Sequence, residues 1–237
     1  MGRRGYHVVV NYLQNTGAAE EVVRAIEAAS GSAETAQADI CDPQDVEEMV
    51  DRLYREHGRI DALVCNANTV NPPFEPLLAL SWSDFIGKVS GELAGSYFLT
   101  QHVLPVMRKR GEGRIVYVSS TAADTIGSVA AHSTAKAALN TFSRHVAGVA
   151  AQYGIVANTI ALPAVRTDAT TGVMNDQLRQ FFQSRSVEGR LLEPEDAARS
   201  IALLADDFGA AVGQVIRVDG GFDVLDQQLH TMVAHFE

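Results

Sequence analysis

A chain of 237 residues with 46% hydrophobic content suits one compact domain with a sizeable core. Its net charge of −10 argues against nucleic-acid backbones as partners, because phosphate binding wants clustered Lys and Arg. The two cysteines, Cys41 and Cys65, have no metal-like spacing and cannot make a disulfide scaffold; they read as small thiols of a reducing compartment, so a cytoplasmic location and no metal site are expected.

No apolar run reaches the ~18 residues of a membrane span. The opening MGRRGYHVVVNY is basic, but its apolar run breaks at Asn11 and is too short for a signal peptide. YHVVVNYL (6–13) is β-branched and continuous, as a strand buried on both faces would be. GAAEEVVRAIEAASG has helical spacing and a stop at Gly31, and AETAQADI is the next strand. DPQDVEEMVDRLYREHG predicts a helix capped by Asp42, with Pro43 in its first turn and Gly58 at its end. IDALVCNA is a buried strand, followed by a long helical region that starts after Ser81. That region ends in Arg108 to Arg110, which reads as a solvated helix end or a docking patch for an acidic carrier. GRIVYVSS is a strand, HSTAKAALNTFSRHVAGVAAQYG a helix, VANTIAL a strand, LEPEDAARSIALLADD a helix and GQVIRVDGG a last strand. Residues 164–192 read as a substrate-side loop region with short helices, and 223–237 as a C-terminal tail. Strands alternating with long helices predict one α/β domain over 1–237, a parallel sheet covered on both faces.

In this order and spacing, VVVNY, ADICDPQDVEEMV, IDALVCNA, GRIVYVSS, HSTAK and GQVIRVDGG resemble the short-chain dehydrogenase/reductase family. The resemblance covers nearly the whole chain. It implies a doubly wound, Rossmann-like sheet, but one lacking the first strand, glycine-rich turn and first helix of that family, a unit of about 25–30 residues. The absent strand would be central in the order 3-2-1-4-5-6. Its absence exposes edges on both neighbours that invite pairing elsewhere. Two explanations stand: a shortened chain, whose second strand pairs directly with the fourth or whose gap a partner closes, or a natural protein with an earlier start.

The family's active site uses Asn, Ser, Tyr and Lys, and the resemblance carries these roles onto Glu92, Ser120, His132 and Lys136, with Ser119 as an alternative to Ser120. Only Ser and Lys match. His132 replaces the acid/base Tyr. A histidine titrates near neutrality, but a neighbouring Lys favours the neutral ring and weakens it as an acid. Glu92 replaces Asn and either pairs with Lys136, neutralising it, or is a solvated or helix-paired residue. Asn68 and Ala164 replace two cleft glycines, and Asn68 is expected to narrow the site and demand an unfavourable backbone angle. Asp39 and Asn66 match positions that contact the cofactor or support the sheet, and both also serve as ordinary turn residues.

These departures collect in one cleft, so the expected function is a non-catalytic subunit that binds no cofactor alone and leaves His132 without a chemical task. Its partner would be a full-length short-chain reductase carrying NADP(H), in a heterotetramer built on Leu93–Arg108, Ser133–Tyr153 and Gly213–Gly220. The chain is similar in this to the shortened reductase subunit of aminocoumarin (novobiocin-type) antibiotic assembly, which implies a β-hydroxy or β-keto group held on a carrier protein. The alternatives are an active NADPH-dependent ketoreductase, and a nucleotide-independent acid/base enzyme using His132, Ser120 and Lys136.

Overall fold

The computed structural model describes residues 1–71, 73, 75–124, 129–167, 170 and 174–222, so the tail at 223–237 and parts of the 164–192 region lie outside the described residues. The described strands are β1 (His7–Tyr12), β2 (Ser32–Gln37), β3 (Ala62–Cys65), β4 (Gly113–Ser120), β5 (Ile155–Leu162) and β6 (Val215–Arg217). The named helices are α1 (Thr16–Ala28), α2 (Pro43–His57), α3 (Trp82–Arg110), α4 (Ala130–Ala151), α5 (Asp176–Ser184) and α6 (Pro194–Ala205).

Local chemistry accounts for most boundaries. The Asp42 carboxylate accepts from the Gln44 and Asp45 N–H groups, Pro43 fills the first turn of α2, and Gly58 ends it at φ +71°. The Ser81 hydroxyl accepts from the Asp84 N–H at 3.1 Å and starts α3. The α1 helix ends at Ala28, short of the expected stop at Gly31; Ser30 takes the left-handed turn instead, at φ +62°. The basic end of α3 is more than a solvated tip, since Arg108 stacks on Tyr153 and Lys109 on Tyr54.

All strand pairings are parallel. Along β4, Ile115 and Tyr117 enter the core beneath α2, α3 and α4, while Val116 enters the core beneath α6. Burial on both faces is why β4 reads as a continuous apolar run; β1, expected to be buried on both faces, has only half-buried and exposed residues, because one edge and its faces border the groove. At the foot of the sheet the turns after α3 and α4 touch. A Cβ on Gly154 would sit 2.3 Å from the Gly111 carbonyl oxygen, and its φ is +72°. Gly154→Ala is expected to destabilise the fold by about 2–3 kcal/mol, read by denaturant unfolding.

The pairing is not continuous. The strands form two sheets, β2-β1 and β3-β4-β5-β6, with no hydrogen-bonded neighbour between β1 and β3 among the described residues. This is the expected order with its central member absent, and β1 does not close up against β3. The two inner edges border a groove of about 1000 Å³, lined by Val8 and Val9 on one side and Leu63, Val64 and Cys65 on the other. Across its lower end, Arg4 donates to Asp206 at 2.6 Å and the Tyr6 hydroxyl to the same carboxylate at 3.1 Å.

Candidate active site

The upper end of the fold, where β3, β4 and β5 finish, gathers most of the chemistry-bearing side chains. β4 ends in Ser119 and Ser120, α3 carries Glu92, and α4 carries His132 and Lys136 one turn apart on one face. Ser119 Oγ donates to the Lys136 carbonyl at 3.4 Å and so ties β4 to α4. Ser120 Oγ accepts from the Ala122 N–H at 3.1 Å and caps the short 3₁₀ turn that follows.

Glu92 is not solvated. It is 4% exposed and lies between two buried lysines, Lys88 at 0% and Lys136 at 8%. Lys88 Nζ donates to Glu92 Oε2 at 2.7 Å, to Asn68 Oδ1 at 2.6 Å and to the Val70 carbonyl at 2.7 Å. Lys136 Nζ donates to Glu92 Oε1 and to the Val118 carbonyl at 2.9 Å. Two ammonium groups and one carboxylate leave a net positive charge, shared with neutral oxygens. Burial pushes the Glu92 carboxyl up, but the Lys136 and Lys88 charges and hydrogen bonds outweigh it and hold the group below its usual value. Burial also holds the Lys136 ammonium below the usual lysine value, against the pull of Glu92.

Lys88 was not singled out from sequence, although it stands four residues before Glu92, the spacing of a helical ion pair. Asn68 does not adopt the unfavourable backbone angle expected for it. Among the described non-glycine residues only Ser30 has a positive φ, so Asn68 sits without that strain and spends its side-chain oxygen on Lys88.

His132, the third residue of α4, has a buried Nδ1 with no hydrogen-bond partner. Burial, then the charges of Lys136 and Lys88, push its pKa down to about 4 despite the opposing pull of Glu92. At neutral pH the ring is therefore uncharged, with a nitrogen free to receive or share a proton.

The remaining positions lie apart from this cluster. Asp39 follows β2; its carboxylate accepts from the Cys41 N–H at 2.8 Å, and its own N–H donates to Asp45 at 3.0 Å. Asn66 is exposed just past β3 and, with Ala67 and Thr69, lines the top of the groove. Ala164 follows β5 next to the Val165–Leu192 bridge. Cys65 is buried and Cys41 half-buried, and burial pushes the Cys65 thiol up to about 12.

The family profile described as enoyl-(acyl carrier protein) reductase matches residues 1–223. A 3-oxoacyl-[acyl-carrier-protein] reductase of Synechocystis sp. is 33% identical over 92% of this chain and 87% of its own length. An L-rhamnose 1-dehydrogenase (NAD(P)(+)) of Sphingomonas sp. is 31% identical over 94% of this chain and 88% of its own. Among solved structures, a gluconate 5-dehydrogenase of Burkholderia cenocepacia, in complex with NADP and tartrate, superposes with a TM-score of 0.84 at 25% identity, covering 95% of this chain and 88% of that one. With the parallel sheet, the helix order and the Ser120, His132 and Lys136 positions in place, this chain belongs to the short-chain dehydrogenase/reductase family.

Proposed function

We propose that this protein is an NAD(P)-linked oxidoreductase that interconverts a secondary hydroxyl and a carbonyl, with His132 as its proton-handling group. The observation that carries this reading is the unpartnered Nδ1 of His132, buried on the α4 face that also holds Lys136. The reductase and dehydrogenase relatives supply the reaction class.

The residues present fit the two ends of a nicotinamide dinucleotide. The groove opens past the carboxyl ends of β1 and β3, the switch point where ligands of open α/β sheets bind. Asn66 lines that opening for the adenosine end, with Asp39 just past β2; Ser120 at the end of β4 and Lys136 on α4 serve the nicotinamide end. The described residues hold no glycine-rich turn for the pyrophosphate. When bound, the nicotinamide supplies or takes up the hydride. The protein moves the proton. With a pKa of about 4, His132 stands in its unprotonated, proton-accepting form at neutral pH, which suits the direction that oxidises a hydroxyl, although as a base of low proton affinity. As a neutral N–H donor it can also polarise a carbonyl oxygen, provided its proton is on the nitrogen facing the substrate.

The test is reduced-nicotinamide formation by the purified chain from NAD+ or NADP+ with a panel of sugars, hydroxy acids and β-hydroxyacyl thioesters. Turnover that rises through about pH 4 and then stays level is expected. Absence of both turnover and cofactor binding by calorimetry overturns the reading.

A second reading is favoured by one observation, the buried Glu92 that occupies Lys136. Here the chain is a non-catalytic subunit of a hetero-oligomeric NADP-dependent reductase that works on a carrier-bound β-hydroxy or β-keto group, as in antibiotic assembly. It is supported if activity appears only on mixing with a full-length reductase and survives His132→Ala in this chain.

A further inference from the structure

We infer that His7, Glu34 and His57 form a binding site for a divalent transition-metal ion of the zinc class, on the outer half of the sheet and separate from the cleft of Lys136. His7 opens β1, Glu34 is the third residue of β2, and His57 is the last residue of α2. The parallel register pairs His7 with Ser32 and Val9 with Glu34, so His7 and Glu34 stand on one face of paired strands. The end of α2 brings His57 down onto that face.

The three groups converge on one oxygen. His57 Nε2 lies 2.8 Å and His7 Nε2 3.7 Å from Glu34 Oε1. Their imidazole rings are tilted by 37° with centroids 4.9 Å apart, and the candidate ligand atoms all lie within 4.8 Å of one another. A tetrahedral zinc ion with ligands at about 2.0–2.1 Å spaces those ligands about 3.3 Å apart. Opening His57 from Glu34 by about 0.5 Å and closing His7 by about 0.4 Å brings the two imidazole–carboxylate edges to that spacing, and the edge between the two imidazoles, at most 4.8 Å, must close with them. His7 Nδ1 lies 2.6 Å from Ser32 Oγ, the outer hydrogen bond that fixes a metal-bound imidazole with its other nitrogen free. Both histidines are exposed, so an ion and its completing water can reach them. One cation stands against the site: Arg52 Nη1 lies 3.9 Å from Glu34, but from the other oxygen, Oε2, and it is held at 2.8 Å by Glu56. Two imidazoles and a single carboxylate select zinc, cobalt or nickel over the oxygen-seeking magnesium and calcium.

The experiment is calorimetric titration of the full chain with ZnCl2, repeated with CoCl2 while the visible absorption of the cobalt is followed. One ion per chain is expected, with micromolar affinity, a cobalt spectrum of low coordination number, and no heat from MgCl2. Glu34→Gln and His57→Ala should each weaken binding at least tenfold, whereas His145→Ala on α4 should not. Circular dichroism and thermal melting establish that the variants are folded, and zinc should raise the Tm of the unaltered chain but not of His57→Ala. Failure to bind zinc, or binding that survives both substitutions in folded protein, overturns the assignment and leaves a hydrogen-bonded histidine–carboxylate contact.

Discussion

Glu92→Leu is expected to lower stability by about 3–5 kcal/mol, because it strands Lys88 and Lys136 in the interior without their shared counter-charge. For a chain of this size that is a fall in Tm of about 6–20 °C. Replacing the whole cluster with Lys88→Met, Glu92→Leu and Lys136→Met should recover most of the loss, since buried ion groups can be exchanged for apolar side chains at little net cost. The comparison, by urea unfolding, separates the worth of the carboxylate from that of the cluster. The pH dependence has a definite sign. Glu92 has a folded pKa below its ordinary 4.5, so its contribution is complete above about that pH and is lost as pH falls through the folded value. Lys136 works the other way: its folded pKa lies below 10.5, so its charge costs stability at neutral pH and the cost lifts as pH rises toward 10.5. In Glu92→Leu the acid-side loss should be missing from the unfolding profile.

The second large effect falls on turnover. If His132 handles the proton, His132→Ala should lower kcat/KM by about 10²–10⁴-fold, the range for removal of a general acid or base. The limb of the pH–rate profile near pH 4 should vanish with it. His132→Tyr should move the working range upward, because a phenol gives up its proton near pH 10 in the absence of neighbours. A structural role for His132 would lower rate and Tm together and leave the profile unmoved. Steady-state rates across pH, set beside melting curves, distinguish the two.

Much of the fold is legible in the sequence. Strand β4 spans the GRIVYVSS segment as read, because a strand covered on both faces needs an unbroken apolar run. The caps Asp42 and Ser81 were legible because each has one short-range partner. The gap between β1 and β3 is legible from the order of the motifs, since the family's strand order fixes which position the given sequence leaves without a strand. The electrostatics of the cleft were less so. The pairing of Glu92 with Lys136 is legible from the motif positions, but its burial and the third member, Lys88, depend on how α3 turns against the segment at Asn68 and Val70. Sequence spacing reports the helical pair and not the loop that closes over it. The His7, Glu34 and His57 cluster was invisible for a similar reason: its members come from three elements, and only the strand register brings them together.

The divided sheet has a consequence for isotope exchange. In an unbroken parallel sheet the central strands hold the slowest amide hydrogens, because both ladders must open before solvent reaches them. Here the amides of β1 and β3 that point into the groove belong to no ladder among the described residues, although they sit in the middle of the strand order. A deuterium-uptake map should therefore be inverted at its centre. Every second amide along β1 and β3 should label early, by local opening, while the Arg114–Tyr117 stretch of β4, paired on both sides, should label only with global unfolding.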